Sequence, residues 1–269
     1  MRHPRSAALF CTFLIFLAGC KAPETATPST TTAPAVVLQG PTAAPSEATV
    51  AAAGSGACAN DYLPVVKGAT WTYEGMTARG DYTEVDVILD VAADAFARGV
   101  TLTDVSYEEA WQCTDEGLVQ FLAAGSPFTG FFAGPDATVY VDTIDNRGVT
   151  LPSHFEVGDE WDQTMQLQIS SPSFNGLATL THEFSADRAE EVTVAGSVFQ
   201  AVVLEVTSRM EVSTSPTFAY EYETTQWFVP GVGLVKLEGE MGTMEAGGQI
   251  TEGGPEYDVS YEMVGYSVP

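Results

Sequence analysis

The feature that most limits how this chain can fold is an alternation of apolar and polar residues that recurs along residues 58–269. A period of two places successive side chains on opposite faces of a β-strand. Around residue 87 the apolar set is Val85, Val87, Leu89 and Val91, and the acidic set is Glu84, Asp86 and Asp90. We therefore expect the apolar set to pack on a core and the acidic set to face water.

The same period returns in other segments, and no segment has a convincing helical period of 3.6 residues. The apolar residues that keep the period of two are Trp71 and Tyr73; Trp161, Met165, Leu167 and Ile169; Leu180 and Phe184; Val202, Leu204 and Val206; Phe218, Tyr220 and Tyr222; and Tyr257, Val259, Tyr261 and Met263. Turn signals at residues 125–127, 134–136 and 145–148 separate such segments. This spacing favours antiparallel strands joined by short hairpins.

The position of the acidic residues favours one architecture for these strands. Acids mark one face of nearly every strand, as expected when one long sheet curls around a single core. The sequence therefore predicts an all-β domain, built as a curled antiparallel sheet or a partly open β-barrel (half-barrel), in preference to a sandwich.

Residues 1–19 have the features of an export signal. Two arginines precede an apolar stretch from Ala7 to Leu17, and small residues precede Cys20. The motif Leu17-Ala18-Gly19-Cys20 resembles the signal peptide of bacterial lipoproteins, and this resemblance implies cleavage after Gly19 and palmitate or a similar lipid on Cys20. Two alternatives stay open, an ordinary signal with Cys20 near its cleavage point and a short uncleaved anchor.

The next segment, residues 20–57, consists after Cys20 almost wholly of Ala, Thr, Pro, Ser and Gly. Such a segment cannot bury a core, so we expect a disordered tether. The predicted organisation is a signal peptide (1–19), a lipidated tether (20–57) and a single all-β domain (58–269). The apolar run of the signal is shorter than the roughly 20 residues of a spanning helix, so the expected membrane contact is through the lipid.

The charge balance excludes one class of partner. The chain has 10 Lys and Arg against 36 Asp and Glu, and removal of Arg2 and Arg5 with the signal leaves 8 against 36, a formal net charge of −28. Nucleic-acid binding requires clustered bases, whereas the bases here are scattered singly. The acidity is typical of a monomeric surface kept soluble by self-repulsion, and a site for Ca²⁺ or for basic partners is the alternative.

The cysteines predict one covalent crosslink. Cys11 lies within the signal and Cys20 is the expected lipid site, which leaves Cys58 and Cys113 in the exported part. Two remaining thiols outside the cell favour one disulfide. A metal or redox pair is the alternative, although the spacing is not C-x-x-C.

Three segments resemble the TapB-like group of exported bacterial domains, which occur in lipoproteins and have no known function. They are Tyr62–Tyr73, Val192–Ala201 and Trp227–Lys236. The resemblance implies a curled antiparallel sheet and brings no known catalytic residues. Ala195 departs from the group, which often has proline before the corresponding Gly-Ser/Thr-Phe turn.

Motifs for catalysis are absent from the sequence. It contains no G-x-S-x-G elbow, H-E-x-x-H pair, glycine-rich phosphate loop or dinucleotide fingerprint. The acidic run Asp142–Gly148 lacks the glutamate of a calcium loop at its twelfth position, where Ser153 stands. We therefore expect no enzyme, no cofactor and no bound metal.

Two residues nevertheless have a functional as well as a structural interpretation. His182 is in phase with Leu180 and Phe184, which predicts a hydrogen-bonded core histidine or, alternatively, a catalytic base. Trp227 precedes Phe228 at a Pro-Gly bend, which predicts core packing or, alternatively, an exposed aromatic platform for binding.

Three functional hypotheses follow from these features. The first is a lipid-anchored extracytoplasmic domain without enzyme activity, for interaction or support at the cell envelope, with an envelope protein or polymer as partner. The second is a carrier of an apolar ligand in the half-barrel, and the third is an envelope hydrolase. Candidate ligand contacts are Phe121, Phe128, Phe131 and Phe132, which would form a lid, together with His182 and Trp227.

Overall fold

The computed structural model describes residues 56–77, 80–103, 105–121, 139–171, 175–213, 218–239, 242–247, 249–252 and 259–269. These residues form one 3₁₀ turn, η1 (Gly56–Cys58), and fifteen β-strands, with no α-helix among them. The all-β prediction is confirmed. Nothing in this part of the chain forms a helix of the length and apolarity that crossing a membrane requires.

The strands are β1 (Thr70–Thr77), β2 (Gly80–Val91), β3 (Ala95–Leu102), β4 (Val105–Cys113), β5 (Gly117–Gln120), β6 (Tyr140–Gly148), β7 (Leu151–Pro152), β8 (Glu160–Ser170), β9 (Asn175–Val194), β10 (Ser197–Val212), β11 (Phe218–Val229), β12 (Gly233–Gly239), β13 (Thr243–Ala246), β14 (Gln249–Glu252) and β15 (Val259–Ser267). They pair in one open antiparallel sheet, in the order β6-β8-β9-β10-β11-β12-β15-β1-β2-β3-β4-β5-β7. A short branch, β13 with β14, extends from β11.

The two ends of this path are close in sequence, and this forces the sheet to curl. Strand β6 ends at Gly148 and β7 begins at Leu151, so only Val149 and Thr150 connect the two edges. Three Cα-to-Cα steps span no more than about 11 Å. The curled sheet predicted from the sequence is therefore confirmed, although the described ladders do not close it into a barrel.

Side chains join the two edges where they approach. Thr150 Oγ1 donates a hydrogen bond of 2.8 Å to Gln163 Oε1 on β8, and it accepts one of 2.8 Å from the backbone N–H of Gln120 on β5. Gln163, which is fully buried, also donates through Nε2 to Asn146 Oδ1 at 2.9 Å. These bonds satisfy polar groups that the open sheet would otherwise leave unpaired in the interior.

We call the passage from β6 to β7 through Val149 and Thr150 the junction. Gly148 permits the close approach of the backbone on its β6 side. Its φ of 76° is unfavourable for any residue with a Cβ, and a Cβ there would collide with the carbonyl oxygen of Asp162. Gly117 has the equivalent role on the β5 side, where a Cβ would collide with the carbonyl oxygen of Leu151.

Two clusters of buried apolar side chains lie on the inner face of the curl. The larger includes Trp71, Phe96, Trp111, Phe184 and Leu204. The smaller includes Met165, Leu167, Leu180, Met210 and Tyr220, on the far halves of β8 to β11. Burial of these large side chains is the main source of stability that the sheet has.

The segment before β1 packs onto the larger cluster and is held by a disulfide. The ring of Tyr62 stacks on Phe155 with centroids 3.8 Å apart, and its hydroxyl donates to the Phe155 carbonyl at 2.7 Å. Cys58 is bonded to Cys113 at the end of β4. The disulfide expected from the cysteine count is therefore present.

The prediction for β2 is wrong over most of the strand. Asp86 is only 2% exposed and faces the interior, whereas Leu89 is 41% exposed on the outer surface beside Gly99. Val85 and Val87 share the outer face with Leu89, because alternate residues of a strand point to the same side. A bulge between Ile88 and Asp90 resets this alternation, and Val91 consequently does pack against the core.

The junction predicts a specific sensitivity at Gly148. We expect Gly148→Ala to lower the free energy of unfolding by about 3 kcal/mol or more, because it adds a collision to the strain of a left-handed backbone. Gly196→Ala is the matched control, since Gly196 has a φ of 82° but open space around its Cβ position. That variant should lose only about 1 kcal/mol. Equal losses for the two variants, measured by urea unfolding, would contradict the role assigned to the junction.

Candidate functional site

The inner face of the curled sheet lines a cavity of about 390 Å³. Its lining comes from strands at both ends of the path and from its middle, including β2, β4, β9, β10 and β11. This volume lies in the range of small-molecule sites, which are typically 300–1,000 Å³. One wall is formed by β1 to β4 and carries charged side chains. The opposite wall is formed by β8 to β11 and combines apolar side chains with uncharged polar ones.

The charged wall contains one arginine among three carboxyl groups. Arg98 on β3 lies between β2 and β4, with Nη1 3.1 Å from Asp86 Oδ2 and Nη2 2.6 Å from Glu109 Oε2. Glu84, two residues before Asp86, lines the cavity on the same face. The guanidinium carbon also lies 5.3 Å from the centroid of Trp111, within the range of cation–π attraction.

Burial shifts the titration of the carboxyl groups on β2. Desolvation, followed by the negative charge of Asp86, raises the pKa of Glu84 to about 8. Desolvation also raises the pKa of Asp86, against the opposing effect of Arg98. Glu84 therefore carries its proton at neutral pH.

Aromatic rings surround this acidic group. Tyr73, Tyr107 and Tyr261 all line the cavity, and the negative charge of Glu84 contributes to raising the pKa of each of the three phenols. Tyr73 and Tyr261 contact edge to face with centroids 5.0 Å apart. The acidic end of the cavity is thus bordered by three ring systems.

The opposite wall carries a transverse polar row that separates the two apolar clusters. Strand register aligns Gln163 with His182, His182 with Ser208, and Ser208 with Tyr222 across four adjacent strands. His182 Nδ1 and Ser208 Oγ form a hydrogen bond of 2.8 Å. A second bond, between Ser208 and the Tyr222 hydroxyl, opposes the rise in the Tyr222 pKa. The row brings polar atoms to the cavity without a permanent charge.

The His182–Ser208 pair has the two groups with which nucleophilic hydrolysis begins. Burial lowers the pKa of His182 to about 4, which makes the imidazole neutral but a weak base. Among the described residues no carboxylate hydrogen-bonds to its other ring nitrogen, whereas an orienting group is part of the usual triad. The geometry favours a hydrogen-bonded histidine that lines the cavity.

The structure places the other predicted site residues away from this cavity or leaves them undescribed. Trp227 is buried at 4% exposure but does not line the cavity, whereas its neighbour Phe228 does. Phe121 lies at a separate surface depression that Ile144 also lines. Phe128, Phe131 and Phe132 lie outside the described residues, as does Cys20. Ligand binding by these residues stays a prediction.

Several cavity residues were missed from the sequence, although a signal for them existed. Arg98 is in phase with Phe96 and Val100, and Gln163 is in phase with Trp161 and Met165. A polar residue at an apolar position of an alternating strand is a candidate for a buried polar site. The residues missed in this way are Arg98, Glu109, Gln163 and Ser208. Tyr107 was not singled out, and Glu84 and Asp86 were expected on the solvent face.

Metal binding has no support from the described part of the chain. None of its histidine, cysteine, aspartate and glutamate side chains form a group of three or more that could hold a metal ion. The charged wall is consistent with this, because two of its three carboxyl groups are already paired with Arg98.

Comparison with known proteins gives similarity of fold alone. No family model and no curated protein matches the chain. A Bacteroides fragilis protein described as exported, with a YmcC-like fold, is 15% identical over 78% of this chain and 100% of its own, with a TM-score of 0.45. A Parabacteroides distasonis protein described as a lipoprotein is 10% identical over 77% of this chain and 99% of its own, with a TM-score of 0.42.

The resemblance to the TapB-like group accordingly stays a prediction. At the position where the chain departs from that group, Ala195 has a φ of 48° and Gly196 a φ of 82°, in the two-residue turn between β9 and β10. Positive φ at both positions is the geometry of a type I′ hairpin. A proline ring, which fixes φ near −65°, cannot adopt it.

The titration of Glu84 predicts a pH dependence of stability. Between its ordinary pKa of 4.5 and its folded value of about 8, the folded chain holds a proton that the unfolded chain releases. Stability should therefore fall as pH rises through this window, by up to about 1.4 kcal/mol per pH unit. We expect Glu84→Gln to reduce this slope and to raise the melting temperature at pH 9 relative to the unmodified chain.

Thermal unfolding between pH 5 and pH 9 measures this effect. Glu108→Gln is the matched control, because Glu108 lies on the outer face of β4 and is exposed. It should leave the slope unchanged. The prediction fails if Glu84→Gln and the unmodified chain lose stability in parallel as the pH rises.

Proposed function

We propose that the chain is an exported, lipid-anchored protein without enzyme activity that binds a small molecule inside its curled sheet. The observation that carries this proposal is the cavity of about 390 Å³ with charged and polar groups on its walls. It develops the ligand-carrier hypothesis, with an amphipathic ligand in place of a purely apolar one.

The lining of the cavity supports binding over a purely structural interior. A core that serves stability alone is densely packed with apolar side chains, and each buried polar group costs free energy. Here Glu84, Arg98, Gln163 and His182 all line one cavity. Binding sites combine apolar walls with a few convergent polar groups in this way.

The location outside the cytoplasm is supported by two independent features of the chain. The signal-like residues 1–19 end at Cys20 in a lipoprotein-type motif. The Cys58–Cys113 disulfide is typical of an oxidising compartment. Lipid on Cys20 and the tether of residues 20–57 would hold the domain near a membrane surface.

The alternative role in interaction or support relies on the same anchor and makes no use of the cavity. The two proposals therefore differ in one measurable property, which is whether the interior takes up a small molecule. Trp71 and Trp111 line the cavity, so their fluorescence reports on its occupation.

A substitution that fills the cavity should weaken binding of a neutral probe. Thr224 on β11 lines the cavity, and we expect Thr224→Phe to weaken the affinity for 1-octanol by about tenfold, equivalent to about 1.4 kcal/mol. Thr225→Phe is the matched control, since Thr225 points to the outer face and donates to Glu205. Octanol titration followed by tryptophan fluorescence, on the full chain carrying Cys20→Ser to allow work without detergent, measures both.

The outcomes of this titration are decisive for the proposal. Saturable binding that Thr224→Phe weakens and Thr225→Phe leaves unchanged supports a binding cavity. Circular dichroism of the two variants establishes that both are folded. Absence of saturable octanol binding, together with a bare mass in native mass spectrometry of the purified chain, would overturn it.

The anchor is tested separately from the cavity. We expect Cys20→Ser to move the protein from the membrane fraction to the soluble extracytoplasmic fraction, because the lipid is the only expected membrane contact. Intact mass of the unmodified protein should exceed that of residues 20–269 by the mass of the acyl groups. An unchanged membrane fraction for Cys20→Ser would contradict lipid anchoring.

A further inference from the structure

The charged wall of the cavity has more carboxyl groups than its base can neutralise. Arg98 makes close contacts with Asp86 and Glu109 and is fully used by them. Glu84 lines the same wall without a cationic partner among the described residues. Any group that enters this end of the cavity meets an excess of acid.

One carboxylate of the wall depends on a proton for part of its hydrogen bonding. Asp86 is 2% exposed, its Oδ2 contacts Arg98, and a side-chain hydrogen bond joins it to Glu84. The neighbouring group is the carboxyl of Glu84, which can serve Asp86 only while it carries a proton. The proton of Glu84 thus stands where a cationic donor would also fit.

The surroundings of Glu84 also suit a cation. The faces of aromatic rings attract ammonium groups, and Tyr73, Tyr107 and Tyr261 border this end of the cavity. The opposite wall contributes His182, which is neutral at pH 7 because burial lowers its pKa to about 4. Among the described lining residues, Arg98 is the one permanent positive charge.

The charge of the whole chain acts in the same direction. With a formal net charge of −26 for the full sequence, the protein attracts cations to its surface and repels anions at low ionic strength. This observation is independent of the cavity lining.

We propose that the cavity binds a cationic amphiphile, with its ammonium group seated against Glu84 and its apolar part along Phe184, Leu204 and Val206 on the opposite wall. This inference rests on the proposed binding function and names the chemical class of the ligand. The ammonium replaces the proton of Glu84 as the partner of the acidic wall, so binding at pH 7 releases that proton to the solvent.

Proton release depends on the groups that face Glu84 from every neighbouring strand. These are Tyr73 on β1, Asp86 on β2, Arg98 on β3, Tyr107 and Glu109 on β4, and Tyr261 on β15. The tyrosines stay protonated, because burial raises their pKa further above 10. Arg98 already contacts Asp86 and Glu109, so Glu84 is the carboxyl group to which we assign the change of state.

Three probes with the same chain length and different head groups test this inference. They are octylammonium, 1-octanol and octanoate, titrated by isothermal calorimetry into the full chain carrying Cys20→Ser at pH 7. We expect octylammonium to bind at least about tenfold more tightly than 1-octanol, and octanoate to bind most weakly. Titrations in phosphate and in Tris, whose ionisation enthalpies differ, should give a release of close to one proton per octylammonium bound.

Glu84→Gln separates this inference from a general effect of acidity. We expect it to remove both the preference for octylammonium and the proton release, while 1-octanol still binds. Glu108→Gln removes one carboxylate from the exposed outer face of β4 and should leave both properties intact. Retained 1-octanol binding also establishes that Glu84→Gln is folded.

Each outcome separates the ligand class from the binding function. The cationic ligand is overturned if the affinity for 1-octanol equals or exceeds that for octylammonium, or if octanoate binds tightly. The proposal of a binding cavity is supported in both cases. Absence of binding by all three probes overturns both. If Glu84→Gln releases as many protons on binding as the unmodified chain, the proton comes from another group. This result would overturn the role given to Glu84.

Discussion

The short passage from β6 to β7 is the constraint on which the rest of the structure depends. Because Val149 and Thr150 alone separate the two edges of the sheet path, the strands between them must curl until these edges approach each other. The buried Gln163 bonds to Thr150 and Asn146 near these edges through its side chain, where no ladder joins them. Much of the inner face of the sheet is thereby shielded from water, including positions whose residues are polar, such as Gln163 and Ser208.

The electrostatics of the interior follow from that enclosure. Moving charged groups out of water costs several kcal/mol each, and an ion pair offsets this only when its geometry is good. Arg98 achieves such geometry with Asp86 and Glu109 across three adjacent strands, and stacking on Trp111 adds a further contact. Glu84 and His182 have no such charged partner and are instead neutral near pH 7, which the burial of each explains. Enclosure therefore determines which groups are charged.

The all-β class, the curled antiparallel sheet and the Cys58–Cys113 disulfide could be predicted from the sequence, because a period of two and a count of exported cysteines are local signals. The side of β2 that faces inward could not be predicted. Alternation defines two faces without saying which one is inside, and the bulge at Leu89 changes the phase within the strand. The cavity was equally inaccessible, since Glu84, Arg98 and Ser208 meet only through the register of distant strands. Polar residues in phase with apolar ones, such as Gln163, were the usable local sign.

The two neutral groups of the cavity bear on the sign of charge expected for the proposed ligand. A bound cation is best matched by ionised Glu84, and from a pKa of about 8 this ionisation costs about 1.4 kcal/mol at pH 7. A bound anion is best matched by protonated His182, and from a pKa of about 4 this protonation costs about 4 kcal/mol at the same pH. Arg98 could bind an anion only by breaking its ion pair with Asp86 or Glu109, so it does not reduce the difference between these two free energies. The same burial that neutralises both groups thus leaves the acid closer to its charged state than the base, which supports the proposed cationic ligand over an anionic one.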